Sequence, residues 1–223
     1  MIPSQLDLVN EHTIAVQGRR VYWRCGDSCP KCEGQPPRCR PRYLRERWFY
    51  PVVDGYVHPV RSFVLCLRCP LCRRIFTDYP PFALPYKRYL LPEVADRGRN
   101  YVTVGGLTYR RGVQENRMAV GYASDNDHDI DERQLTHTTL WRWVGFFGRM
   151  ERTLRGSLRW LQEKDNTLEL FRHSCLVPGW KYKTRERKLL LQTALRLFDL
   201  EPVFVRLSSR SLFPEFATVC HWN

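Results

Sequence analysis

Residues 62–81 read SFVLCLRCPLCRRIFTDYPP, and this stretch decides the first third of the chain. Cys66, Cys69 and Cys72 recur at three-residue steps inside an apolar run. The run before Cys69 is rich in β-branched and aromatic residues, and RRIFT follows Cys72, so the spacing predicts strand, knuckle, strand. A second C-x-x-C, Cys29-Pro-Lys-Cys32, lies upstream, with 36 residues between the two pairs. Two such turns on hairpin tips can present four thiolates to a tetrahedral Zn²⁺, which is the design of a zinc ribbon with a long insert. Cys29, Cys32, Cys69 and Cys72 are therefore the expected ligands, and Zn²⁺ the expected cofactor.

The other thiols leave alternatives open. Cys66 alternates with Leu65 and Leu67 and reads as a small buried hydrophobe, as does Cys25 on an opposing strand. Cys39 lies in the insert, and a two-metal cluster using these extra sulfurs is the rival arrangement. Nine cysteines, seven of them between Cys25 and Cys72, form an odd number that does not suit a disulfide scaffold. The N-terminus lacks the basic start and apolar core of a secretory signal, so a reducing compartment and metal ligation are expected. No apolar run reaches the ~18 residues of a membrane helix, and a membrane partner is not expected.

The net charge is +13, and 30 of the 36 basic residues are Arg. Residues 1–90 hold 15 basic and 7 acidic side chains, residues 91–135 hold 6 and 8, and residues 136–223 hold 15 and 8. Two Arg-rich ends suit a phosphate backbone, against the plainer reading of a solvated basic surface. The insert at 33–60 mixes Arg, Pro and aromatics. It reads either as a track for nucleic acid or as a strand pair packing the small ribbon core.

Beyond the ribbon, the prolines of YPPFALPYKRYLLP oppose a helix, and 80–85 reads as an extended arm. A short helix broken or started near Pro92 follows, then a turn at Gly105-Gly106 and a helix over 107–117. Five carboxylates crowd 123–134, but the glycine and final Glu of a calcium loop are missing, so this reads as an acidic linker. Thr136 then caps a helix. Leu140, Val144 and Phe147 share one face, with Trp143 beside them. Thr138, Arg142 and Arg149 lie opposite, flanked by His137 and Trp141, in the manner of a recognition helix. The rival reading is an ordinary surface helix.

Two segments together, RCPLCRRIFTDYPPFALPYKRY (68–89) and QLTHTTLWRWVGFFG (134–148), resemble the ribbon-plus-helix-turn-helix region of bacterial insertion-sequence transposases and their small mobile-element relatives. The resemblance covers about residues 25–148. It implies binding of double-stranded DNA, carried onto Cys29, Cys32, Cys69, Cys72, His137, Thr138 and Arg142, in the bacterial cytoplasm at the nucleoid. A second copy of the chain or other mobile-element proteins are the further partners it admits. It does not carry catalysis: the larger transposases add a ribonuclease-H-like domain with three separated carboxylates, whereas 75 residues remain here after Gly148 and read mainly as helix.

In that remainder, Met150, Leu154, Leu158 and Leu161 face one side of a helix and Arg152, Arg155 and Arg159 another. Thr184 caps a last helix that Pro202 is expected to stop, with a strand-like run after it. His173, Cys175, Cys220 and His221 do not follow a known finger spacing. The expectation is an α+β protein: a zinc ribbon over 1–82, a helix-turn-helix-like region over 83–148 and a helical extension over 149–223. Its function is expected to be DNA binding in regulation or transposition, with Trp141, Arg149 and Arg152 added to the contact set. The rivals are a compact transposase or nuclease, and an RNA-binding or protein-recruiting adaptor. No separated carboxylate triad argues for the enzyme.

Overall fold

The computed structural model describes residues 4–19, 29, 32, 39–54, 56–104, 107–114, 135–164, 177, 179–208 and 212–213. Cys25, the glycines at 105–106, the carboxylates at 123–134 and His173, Cys175, Cys220 and His221 lie outside these residues. Helix and sheet are mixed, as an α+β chain requires. The described residues up to Leu91 form one compact unit and those from Pro92 a second.

The first unit is a three-stranded antiparallel sheet with one helix. Strand β1 (Arg40–Phe49) pairs with β4 (Val60–Arg68), and β4 with β5 (Ile75–Asp78). Two short strands, β2 (Val52–Val53) and β3 (Tyr56–Val57), make a separate ladder between β1 and β4. The expected strands on either side of Cys69–Cys72 are β4 and β5, and the insert supplies β1. Directly paired residues share a face. Ser62 and Val64 thus lie with Arg47 and Arg45 on one face, and Leu65 and Leu67 with Leu44 and Pro41 on the other.

Helix α1 (Gln5–Gln17) covers the first of these faces, and the sequence reading did not anticipate it. It starts in a capping box: Asp7 N–H donates to Ser4 Oγ at 3.2 Å, and Ser4 N–H to Asp7 Oδ2 at 3.0 Å. The Ser4 hydroxyl bond, with the backbone bond beside it, holds the Asp7 carboxyl below its usual pKa. Val9, His12 and Val16, spaced three and four apart, are its buried positions. Val9 joins Phe49, Val64, Phe82, Ala83 and Leu90 in the core, and Thr13 and Ser62 hydroxyls meet at 2.7 Å.

The segment 79–90 is not an extended arm. Turns close between Pro80 and Ala83 and between Leu84 and Lys87, and Phe82, Leu84 and Leu90 are buried. Phe82, Ala83 and Leu90 join Val9, Phe49 and Val64 in the core, where their apolar surface is removed from water. Arg47 fixes the fold-back: its guanidinium donates to the carbonyls of Leu84 and Lys87 and lies against the rings of Phe49 and Tyr79 at 5.1 and 5.0 Å.

The second unit is helical: α2 (Leu91–Thr103), α3 (Tyr109–Gln114), α4 (His137–Gly148), α5 (Glu151–Lys164) and α6 (Arg185–Ser208). Helix α4 packs against α3 and α6, and α5 also meets α6. The expected break at 148 therefore falls inside this unit. A tight helix-turn-helix before α4 is not present among the described residues, since α3 ends at Gln114 and α4 begins at His137. The short connection is the next one: only Arg149 and Met150 separate α4 from α5. Gly148 ends α4 against α6, and a Cβ there would lie 2.3 Å from Leu190 Cγ and 2.5 Å from its carbonyl oxygen.

Pro202 does not stop α6, which runs through it to Ser208, so the strand-like run expected beyond Pro202 is helix up to that residue. A proline leaves the carbonyl four residues earlier without its helical donor. That carbonyl belongs to Phe198, and Arg99 Nη2 of α2 donates to it at 2.9 Å.

Candidate metal centre and nucleic-acid interface

Strand β4 delivers Cys69 to a tight turn in which Cys69 N–H donates to the Arg74 carbonyl at 3.0 Å. Arg73, at φ 60°, turns the chain back into β5. The two C-x-x-C pairs come together there. The sulfurs of Cys29, Cys32, Cys69 and Cys72 all lie within 4.8 Å of one another, with Cys29–Cys72 at 3.8 Å and Cys32–Cys69 at 4.0 Å. Those separations are far longer than the ~2.05 Å of a disulfide. Thiolates at about 2.3 Å from a tetrahedral Zn²⁺ stand about 3.8 Å apart. The four sulfurs can thus hold a metal ion without large movement.

Burial alone would raise the Cys69 pKa. The Cys72 and Leu71 backbone N–H groups, with the Cys29 and Cys72 thiols, outweigh it and bring Cys69 down to about 7. Cys39 is buried with Leu65 and Leu67 beside Cys29 and Cys69, and burial, then the Cys69 sulfur, pushes its thiol up to about 12. Cys66, near the end of β4, is buried with its sulfur 3.9 Å from the Thr77 hydroxyl, which fits the small-hydrophobe reading.

In the second unit, α4 separates its two sides as expected. Thr136 caps it, accepting from Thr139 N–H at 3.4 Å. Leu140, Val144 and Phe147 are buried, and so are Trp143 and Phe146, making the apolar side wider than the three-residue pattern. His137, Thr138, Trp141, Arg142 and Arg149 are exposed, and so is Arg152 at the start of α5. The Thr138 hydroxyl meets that of Thr136 at 2.8 Å. Arg155 pairs with Glu151 at 2.5 Å across one turn.

The sequence reading missed the cations that α6 brings to this face. Arg187 bonds the Tyr109 hydroxyl and stands 5.7 Å from the Tyr109 ring and 6.0 Å from that of Trp141. Tyr109 stacks on Tyr101 at 3.9 Å, and Lys181 Nζ lies 4.2 Å over Tyr101. Burial lowers the Lys181 pKa to about 8. An open groove of about 490 Å³ beside the start of α6 is lined in part by Lys183, Arg185 and Lys188. The only sequence signal for this grouping was the Lys/Arg density of 181–188, and the pairing across helices is not written in it.

Comparison with known proteins found no matching family model, curated protein or solved structure. Among the described residues no helix is long and apolar enough to cross a membrane.

Proposed function

We propose that this chain is a zinc-dependent DNA-binding protein of a mobile element, acting as a regulator or as an accessory in transposition. Cys29, Cys32, Cys69 and Cys72 bind Zn²⁺ and hold a ribbon-like first unit. Helix α4 reads duplex DNA: His137, Thr138 and Arg142 meet base edges or phosphates, Trp141 lies beside them, and Arg149 and Arg152 contact the backbone.

The observation that supports this most is the polarity of α4. Its back is wholly buried, while its front is polar and cationic and is flanked by Arg187 from α6. The mobile-element context rests on the likeness of 68–89 and 134–148 to insertion-sequence proteins.

Two measurements test the reading. Metal analysis of the purified chain should give one zinc per chain, retained by Cys66→Ser and lost by Cys69→Ser. Duplexes selected from a random pool should bind with an affinity that falls steeply with salt, and Arg142→Gln should weaken the best of them about tenfold. Zinc absent from wild type, or duplex binding indifferent to Arg142, would remove the corresponding half of the proposal.

A further inference from the structure

The first unit carries a surface that the α4 reading does not use. Because paired residues share a face, the register lays out rows across the three strands. Arg40, Arg68 and Ile75 form one row, Tyr43, Cys66 and Thr77 the next, and Arg45 and Val64 the third. Helix α1 covers this face at Ser62 and Val64, both fully buried. Beyond the helix, towards the knuckle, the face opens: Tyr43 is 50% and Ile75 42% exposed, with Arg40, Arg45 and Arg68 exposed around them.

The metal centre lies on the other side of the same strands, where Leu65 and Leu67 pack with Cys29, Cys39 and Cys69. The sheet's two described acidic residues, Glu46 and Asp78, pair with Phe63 and Leu65 and so lie on that opposite face. The open face is thus three guanidiniums around one aromatic ring and one aliphatic side chain, with no carboxylate of these strands among them. Arg45 gives one donor to the Tyr79 hydroxyl, at 3.3 Å, and its remaining donors stay available.

We propose that this sheet face binds a single strand of nucleic acid, an unpaired base stacking on Tyr43 and phosphates meeting Arg40, Arg45 and Arg68. An exposed ring among arginines favours single strands, because only an unpaired base offers a face to stack. Duplex DNA would use the arginines and leave the ring idle, and an acidic peptide would do the same. The inference is independent of α4 and adds a second nucleic-acid surface to the chain.

The test uses the full, zinc-loaded chain and fluorescence anisotropy with a labelled oligo(dT) and with a duplex of equal length, at matched salt. Wild type should bind oligo(dT), and Tyr43→Ala should weaken that binding about tenfold, as loss of one stacking platform does. Its duplex affinity should stay within twofold, and Tyr43→Phe should bind oligo(dT) like wild type. Should Tyr43→Ala lose its zinc or fold, Arg40→Gln/Arg45→Gln decides, and it should reduce the salt slope for oligo(dT) by about 1.4.

Wild type that fails to bind oligo(dT) overturns the proposal. So does a Tyr43→Ala variant that binds it unchanged, or one that loses duplex and oligo(dT) alike. A Tyr43→Phe variant as weak as Tyr43→Ala does so too, since the hydroxyl near Cys66 would then be the relevant group. Arg142→Gln separates this surface from α4, because it should weaken duplex binding and leave oligo(dT) untouched.

Discussion

His12 is a buried ionisable residue of the first unit. Its Nε2–H donates to the Phe63 carbonyl at 2.8 Å, and its ring meets Phe49 and Phe82 edge-on at 5.8 and 5.6 Å. Burial is the largest influence and lowers its pKa below 6.5; the Phe63 bond opposes this, and the Arg47 charge adds to it. The folded pKa is therefore below the unfolded one, and the unfolded chain binds the proton first. The stability that neutral His12 contributes is complete above pH 6.5 and is lost as pH falls below that value towards the lowered pKa. His12→Gln keeps a donor and cannot titrate. Urea unfolding should show wild type ahead of His12→Gln at about pH 8, with the gap narrowing at about pH 5.5. A constant gap would show that His12 is not titrating. Any metal lost from the thiol cluster in acid is lost from both proteins, so it drops out of the comparison.

Among the elements, α6 best separates what the sequence carries from what only packing decides. Thr184 caps it as expected, accepting from Arg187 N–H at 3.2 Å. Pro202 reads as a stop because a proline removes a helical bond, and nothing local reveals that Arg99, about a hundred positions earlier, takes the carbonyl that is freed. A double-mutant cycle tests this. Arg99→Met should cost about 1 kcal/mol, the usual net worth of one hydrogen bond. In a Pro202→Ala background the substituted residue regains a backbone N–H that returns to the Phe198 carbonyl, and the same change should cost close to nothing. Equal costs in both backgrounds would assign Arg99's role to its ion pair with Asp199, 3.8 Å away.

Gly148 gives a second case. Its close approach to Leu190 is decided by packing and was not legible in the sequence. Gly148→Ala should lower unit stability by about 1–3 kcal/mol, as overpacking does, and a neutral melt would show that α6 can give way. Helix α1 was missed for the opposite reason. Its Ser4-x-x-Asp7 start was visible, but Val9, His12 and Val16 make a narrow stripe, and a buried histidine does not read as apolar. The 79–90 segment was misjudged because its prolines hide Phe82, Leu84 and Leu90, whose burial needs the sheet face and the Arg47 bonds. The four-sulfur cluster was legible because C-x-x-C spacing constrains local geometry directly; the crowding of Cys39 against it depends on the tertiary fold.

At the scale of the whole molecule, the division near residue 91 gives the chain two unlike sources of stability. The second unit is held by aromatic and aliphatic packing, with Phe147 against Phe198 and Phe213 at 4.9 and 4.8 Å. The first has a small sheet whose knuckle end is closed by sulfurs, and proteins of that kind draw much of their folding free energy from the metal. Thermal unfolding should accordingly resolve two transitions. EDTA should lower the transition assigned to residues 4–91 and leave the other in place. Cys69→Ser should reproduce the EDTA result without chelator, while Cys66→Ser should keep both transitions. A chelator that shifts both transitions equally would mean that the two units unfold as one, and a chelator that shifts neither would mean that the thiol cluster contributes nothing to the fold. Chelation bears on function too. Oligo(dT) binding through Tyr43, on the strands next to the thiol cluster, should disappear on chelation, and duplex binding, which is proposed to be zinc-dependent, should weaken with it.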